Sequence, residues 1–136
     1  KTVLKYAPRA IVLYAGDNDI ASGKSALRVF EDYKSFVARV NEKLPVTPII
    51  FISIKPSLRR WSFWPVMEKT NTLIKTYANK YPALYYADTA TPMLNAAGQP
   101  NPALFVSDSL HLSQHGYDLW SARLEPVLKQ ALQAVR

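Results

Sequence analysis

The stretch Ala10-Ile-Val-Leu-Tyr-Ala-Gly-Asp-Asn-Asp19 constrains the fold of this chain more than any other. Its first half is apolar at consecutive rather than alternate positions and rich in branched aliphatics. That is the pattern of a strand buried on both faces of a parallel sheet, with helices on each side. Gly16 then permits a turn that a Cβ would hinder, so the strand can stop abruptly. Three short polar side chains therefore arrive at the carboxyl end of a buried strand, where open α/β sheets place their ligands. Taken alone, the stretch is equally a strand followed by an Asx-rich turn.

The rest of the chain continues the alternation. Ser25 suits a helix N-cap. Leu27, Phe30, Tyr33, Val37, Val40 and Leu44 then recur in steps of three and four, predicting one helical stripe over residues 26–44. Pro45 and Pro48 end that helix. Ile49 to Ile54 predicts a second buried strand, and Lys55 to Phe63 a loop. Pro65 opens a helix to about Lys80, with Val66, Leu73, Ile74, Tyr77 and Ala78 inward. Leu84 to Asp88 predicts a third strand, its Tyr85 and Tyr86 being packing residues. An irregular segment from Thr89 to Ser107 precedes a last helix over 113–135, with Tyr117, Trp120, Leu124, Val127, Leu128 and Ala131 along one side. The order β-α-β-α-β-loop-α predicts an α/β parallel sheet with right-handed crossovers.

At 136 residues the chain is expected to form a single domain, 1–136. It is basic, with 17 Lys and Arg against 10 Asp and Glu, yet the basic residues are scattered and accompany no recognition motif, which argues against nucleic acid. The absence of cysteine excludes disulfides and thiolate chemistry. No apolar run approaches the roughly 20 residues that span a bilayer. Two histidines and no cysteine make a dedicated metal site an unattractive reading, and no cofactor is implied. The first core strand follows closely on Lys1, with neither an initiator Met nor a signal-peptide pattern ahead of it. The expectation is that sequence upstream of Lys1 completes the domain.

Asp108 and His111 lie three apart at the start of the last helix, after a loop too long to be a mere connector. A carboxylate at that spacing can accept Nδ1–H of the imidazole within one turn. This fixes the tautomer and leaves Nε2 as a base, the orienter–base half of a hydrolytic triad. The plain alternative is a satisfied loop pair. His115 has no acid three residues upstream and is read as a surface residue. Arg59, Arg60 and Trp61 follow the second strand, where they either line a substrate rim or form a solvated loop with one packed Trp.

Gly16-x-Asn18-Asp19 after a buried strand, together with Asp108-x-x-His111-x-Ser113-x-x-Gly116-Tyr117, resembles the SGNH (GDSL-type) esterase and acylhydrolase family. The resemblance runs from that family's third strand to its last helix. It implies a flavodoxin-like three-layer α/β/α sheet of order 2-1-3-4-5, of which this chain holds strands three to five and lacks the first βα units. It also implies that Asn18 donates to an oxyanion hole, that His111 and Asp108 serve a nucleophilic serine, and that Gly16 and Asp19 shape the turn that aims Asn18. The family's Gly-Asp-Ser block and its second, Gly-containing block are missing, and no serine present sits in a nucleophile-elbow pattern.

The expected function is therefore ester hydrolysis by acyl transfer on a small-molecule ester, with the serine upstream of this chain. The alternative is a non-catalytic binding module that keeps the fold without the nucleophile. Either way, losing two strands would leave the Ala10–Ala15 strand at a sheet edge, to be covered by an upstream segment or by another chain.

Overall fold

The structure, a computed structural model, describes residues 9–134. Lys1–Pro8, most of the expected polar lead-in, lie outside them. In chain order the elements are β1 (Ile11–Leu13), α1 (Asp17–Ala21), α2 (Ala26–Lys43), β2 (Ile49–Ile52), α3 (Trp64–Ala78), β3 (Leu84–Ala87) and α4 (Gln114–Ala134). Short 3-10 turns occupy Trp61–Phe63, Thr91–Met93 and Pro102–Leu104. The strands make one parallel sheet in the order β1-β2-β3, with Ile11 opposite Ile49 and Ile49 opposite Leu84.

Successive strand residues face opposite sides, and β2 divides the core accordingly. Ile49 and Phe51 pack with Val37 and Val40 of α2 and Ile74 of α3. Ile50 turns the other way, onto Ala87 and Ala131 with Leu124, Val127 and Leu128 of α4. This is a three-layer α/β/α arrangement with β2 wholly buried, as its unbroken apolar run requires. Each of its large side chains contributes roughly 1.5–3 kcal/mol by burial, which makes β2 the anchor from which the flanking loops hang. The Ser25 hydroxyl accepts the Arg28 N–H at 3.1 Å and starts α2 at Ala26, and Pro65 sits in the first turn of α3.

Several expectations need correction. β1 is shorter than the run Ala10–Ala15 and is not buried on both faces: Val12 is 40% exposed. Its register partner Ile50 lies under α4, but α4 packs across β3 and β2. The residues after Gly16, expected to be a turn, form the short helix α1. Leu27 is exposed and Val29 takes its place in the core. At 100° per residue Leu27 stands about 120° from Tyr33 around the helix, off the buried face. Leu73 and Tyr77 are only partly buried, and Met67, Thr70 and Asn71 share the inner face of α3. Tyr117 lies on the inward stripe of α4 yet is exposed, because its turn packs on the 102–104 turn rather than on the sheet, with Gly116 as the buried residue.

Beside β1 runs a groove of about 480 Å³, lined by Leu13, Phe36, Val40 and Phe51. The Tyr33 ring also lines it, and its hydroxyl is buried without a hydrogen-bond partner.

Candidate active site

All three segments singled out from the sequence follow the carboxyl ends of strands: residues 16–19 after β1, 55–61 after β2, and 108–111 in the long connection after β3. Gly16 makes the first of these. Its φ is +109°, and a Cβ would stand 2.9 Å from Ile54 Cδ1 and 3.1 Å from Val29 Cγ1. Both the conformation and the space require glycine, so the chain reverses here into α1 and sets out Asp17, Asn18 and Asp19. Asn18 is exposed, and Asp19 lines the groove beside β1.

The Asp108–His111 segment is a hairpin closed on itself. Phe105 and Leu112 form an antiparallel bridge, and Val106 N–H donates to the His111 carbonyl at 2.9 Å. Ser109 takes a positive φ of 59° at the tip. One Asp108 oxygen accepts the N–H groups of Leu110 and His111, both at 2.9 Å, and the other lies 2.6 Å from His111 Nδ1. The imidazole bond first, then the two backbone N–H groups, hold this carboxyl well below the usual carboxylate range. Asp108 therefore stays an acceptor, and Nδ1 carries the proton toward it. Nε2 is left as the basic atom of a side chain that is 72% exposed. The hairpin is fastened to α4 by Ser113, whose hydroxyl donates to the Ala103 carbonyl at 2.8 Å and accepts the Gly116 N–H at 3.2 Å.

Sequence reasoning passed over a buried ion cluster between the first two segments. The Asp17 side chain is 8% exposed and accepts from Lys55 Nζ at 2.9 Å, Arg60 Nη1 at 2.7 Å and the Tyr14 hydroxyl at 2.9 Å. Burial alone would raise its pKa, but the bonds from Lys55, Arg60 and Tyr14 outweigh it and leave the carboxyl below its ordinary value. The Tyr14 phenol is pushed well up by burial and by the Asp17 charge. The signal was present in the sequence: an acid and a lysine at the carboxyl ends of two buried parallel strands can hardly avoid each other. The cluster reaches Asn18, whose Oδ1 accepts from the same Arg60 Nη1 at 2.8 Å. Arg59 N–H in turn donates to the Ser109 carbonyl at 3.2 Å. The Arg59–Arg60 segment thus bridges Asn18 to the Asp108–His111 hairpin, and the three lie along one rim of the sheet.

Arg60 turns inward to Asp17 and Asn18, whereas Arg59 is exposed. Trp61 stacks on Trp64 at 6.1 Å between centroids. Four serines have structural duties: Ser25 and Ser113 cap helices, Ser57 accepts the Arg60 N–H, and buried Ser53 accepts the N–H groups of Thr89 and Ala90. Among the described residues no group of three or more His, Asp or Glu is placed to hold a metal ion. No helix among them is long and apolar enough to cross a membrane.

A parallel α/β/α sheet with its polar loops gathered on the carboxyl rim places this chain among the open α/β folds, whose ligands bind at that rim. The profile of the GDSL-like lipase/acylhydrolase family matches residues 1–119, and the chain belongs to that family. Among solved structures it is similar to a carbohydrate esterase family 3 protein from Talaromyces cellulolyticus, at 18% identity and a TM-score of 0.78, over 95% of this chain and 61% of that one. A member of the lipolytic G-D-S-L family from Veillonella parvula aligns over 95% of this chain and 68% of that one, at 22% identity and a TM-score of 0.76. The esterase domain of a zebrafish retrotransposon ORF1 protein aligns at 25% identity and a TM-score of 0.67, over 94% and 73% of the two chains. The chain spans about three-fifths of the length of the first structures it matches. No curated protein matches it.

Proposed function

We propose that these residues carry the base, the orienter and one oxyanion donor of a serine ester hydrolase whose nucleophile lies in a preceding segment. The observation that carries this reading is the 2.6 Å contact between Asp108 and His111 Nδ1, with the remaining Asp108 oxygen occupied by backbone N–H groups. That arrangement leaves Nε2 without a partner among the described residues, which supports proton transfer as the role of the imidazole. In the reaction a serine Oγ attacks the ester carbonyl carbon and Nε2 of His111 takes the hydroxyl proton. The imidazolium formed is held by the Asp108 charge. The carbonyl oxygen, now carrying the negative charge, accepts from the Asn18 side-chain amide. His111 then returns the proton to the departing alcohol, and water repeats the sequence on the acyl-enzyme. Names among the similar structures, an acetyl esterase and a carbohydrate esterase, favour a short acyl group as the first substrate to try.

The free edge of β1 suits the entry of the preceding segment. It is unpaired on one side among the described residues, and it is flanked by exposed Val12 and by the apolar groove with the unpartnered Tyr33 hydroxyl. A strand and helix laid there would pair the edge and fill the groove.

The test is turnover of a short-chain ester by the complete protein. His111→Ala should lower kcat by several orders of magnitude, and His115→Ala should change it little. Equal losses in the two variants would sink the assignment. A folded complete protein without turnover would favour a non-catalytic module.

A further inference from the structure

We propose that Arg60 is a positioning residue that sets the orientation of the Asn18 amide, so that Nδ2 rather than Oδ1 faces the reacting ester. This rests on the role proposed above for Asn18 and assigns a function to a residue that the sequence left as a candidate for the substrate rim.

The argument starts from what a guanidinium can do. It donates and never accepts, so the Asn18 atom that stands 2.8 Å from Nη1 must be the amide oxygen. An amide is planar, with its oxygen and nitrogen on opposite prongs; fixing one fixes the other. Without Arg60, an exposed Asn two residues into a short helix would turn freely about its side-chain bonds. Half of its amide orientations would then present a lone pair to a developing negative charge. With Arg60 in place the oxygen is engaged, and Nδ2, which makes no hydrogen bond among the described residues, keeps both protons for a ligand.

Arg60 can hold Asn18 only because it is itself held. The same nitrogen donates to Asp17 Oδ1 at 2.7 Å, and its side chain is 21% exposed. Asp17 is anchored in turn by Lys55 and Tyr14 from opposite sides of the β1–β2 seam. The backbone of Arg60 is tied as well, its N–H to buried Ser57 and its carbonyl to Phe63 N–H. A buried carboxylate thus serves as the fixed point, Arg60 as the arm, and the Asn18 amide as the working end. The cation also draws electron density toward Oδ1, which makes the Nδ2–H groups better donors.

The experiment is a double-mutant cycle in the complete protein with a short-chain ester, joined to nitrogen-15 relaxation of the Asn18 side chain. Arg60→Ala alone should lower kcat by about tenfold and leave KM within about twofold. This is less than the 10²–10³ expected for losing the donor outright, because the amide remains but is no longer aimed. In an Asn18→Ala background the same substitution should cost less than about twofold more. Full additivity in the cycle, or a change confined to KM, would overturn the proposal. Relaxation needs no turnover. In the unmutated protein the Nδ2 order parameter should lie near the ~0.85 of rigid backbone, and in Arg60→Ala it should fall below about 0.6. A low value in the unmutated protein refutes the positioning role even where Arg60→Ala does not fold. A rigid amide in a protein without esterase activity would retain the Arg60–Asn18 coupling and discard only the catalytic reading.

Discussion

Replacing Asp17 by Asn tests whether the ion cluster supports the rim. The side chains have nearly the same volume, so no cavity is made and the change falls on charge alone. Lys55 loses its carboxylate while its side chain is only 10% exposed, keeping the Tyr14 hydroxyl at 3.4 Å as a poor substitute. Breaking one side of a buried pair costs roughly 3–5 kcal/mol, because the remaining charge is stranded. The lower end applies here: Arg60 is more exposed and can turn toward water, and the Lys55 ammonium keeps the Tyr14 ring at 5.4 Å. A loss of about 3 kcal/mol corresponds to a fall in Tm of roughly 6–12 °C for a protein of 150–250 residues. Thermal and urea unfolding of the complete protein measure it. The pH dependence supplies a second check. Asp17 is held below its unfolded pKa, so its contribution is present above the unfolded value of about 3.9 and is lost as pH falls through the lower folded value. The gap between the two proteins should therefore be constant through neutral pH and should close only in acid, where Asp17 is itself neutral. A loss below about 1 kcal/mol at pH 7 would place the cluster among surface pairs and refute the reasoning.

Two further substitutions probe other parts of the frame. Gly116→Ala would put a Cβ 2.3 Å from the Leu104 carbonyl oxygen and 2.9 Å from Leu112 Cδ2, so it should cost about 1–3 kcal/mol in chemical unfolding and disturb the hairpin that carries His111. Unchanged stability would mean that the start of α4 is not packed as described. Val12→Lys should hardly alter the unfolding of residues 1–136 expressed alone, but should cost about 1–3 kcal/mol in the complete protein if a segment covers β1; small effects in both would show the edge to be open.

The parts of this molecule that were legible in the sequence are those governed by local rules. β2 announced itself because a strand buried on both faces has no polar positions. Ser25 and Pro65 marked helix starts because capping and proline geometry act within one turn. The Asp108–His111 pair was readable because both members lie in one hairpin. What escaped depended on position in the assembled sheet. The edge position of β1 among the described strands was expected from the resemblance, but its shortness and the exposure of Val12 were not, since nothing in the residues says how far α4 reaches across the sheet. Asp17 was overlooked because its partners Lys55 and Arg60 are about 40 residues away and meet it only through the β1–β2 crossover. Leu27 and Tyr117 were misplaced because apolar spacing alone does not say which helical turns face the sheet and which fall off its face or beyond its end.

The closed hairpin around Asp108 has a consequence for how the site would fail. His111 and Asp108 are joined within four consecutive residues, so they come together at the cost of a very small loop, whereas Asn18 is brought from about 90 residues upstream by the whole βαβ frame. The two halves of the rim therefore belong to different units of cooperativity. A heated or destabilised molecule should keep an oriented imidazole after the amide has drifted from it. In such a partly opened state the proposed base would remain without the proposed oxyanion donor, and its chemistry would shrink to ordinary proton transfer with the solvent.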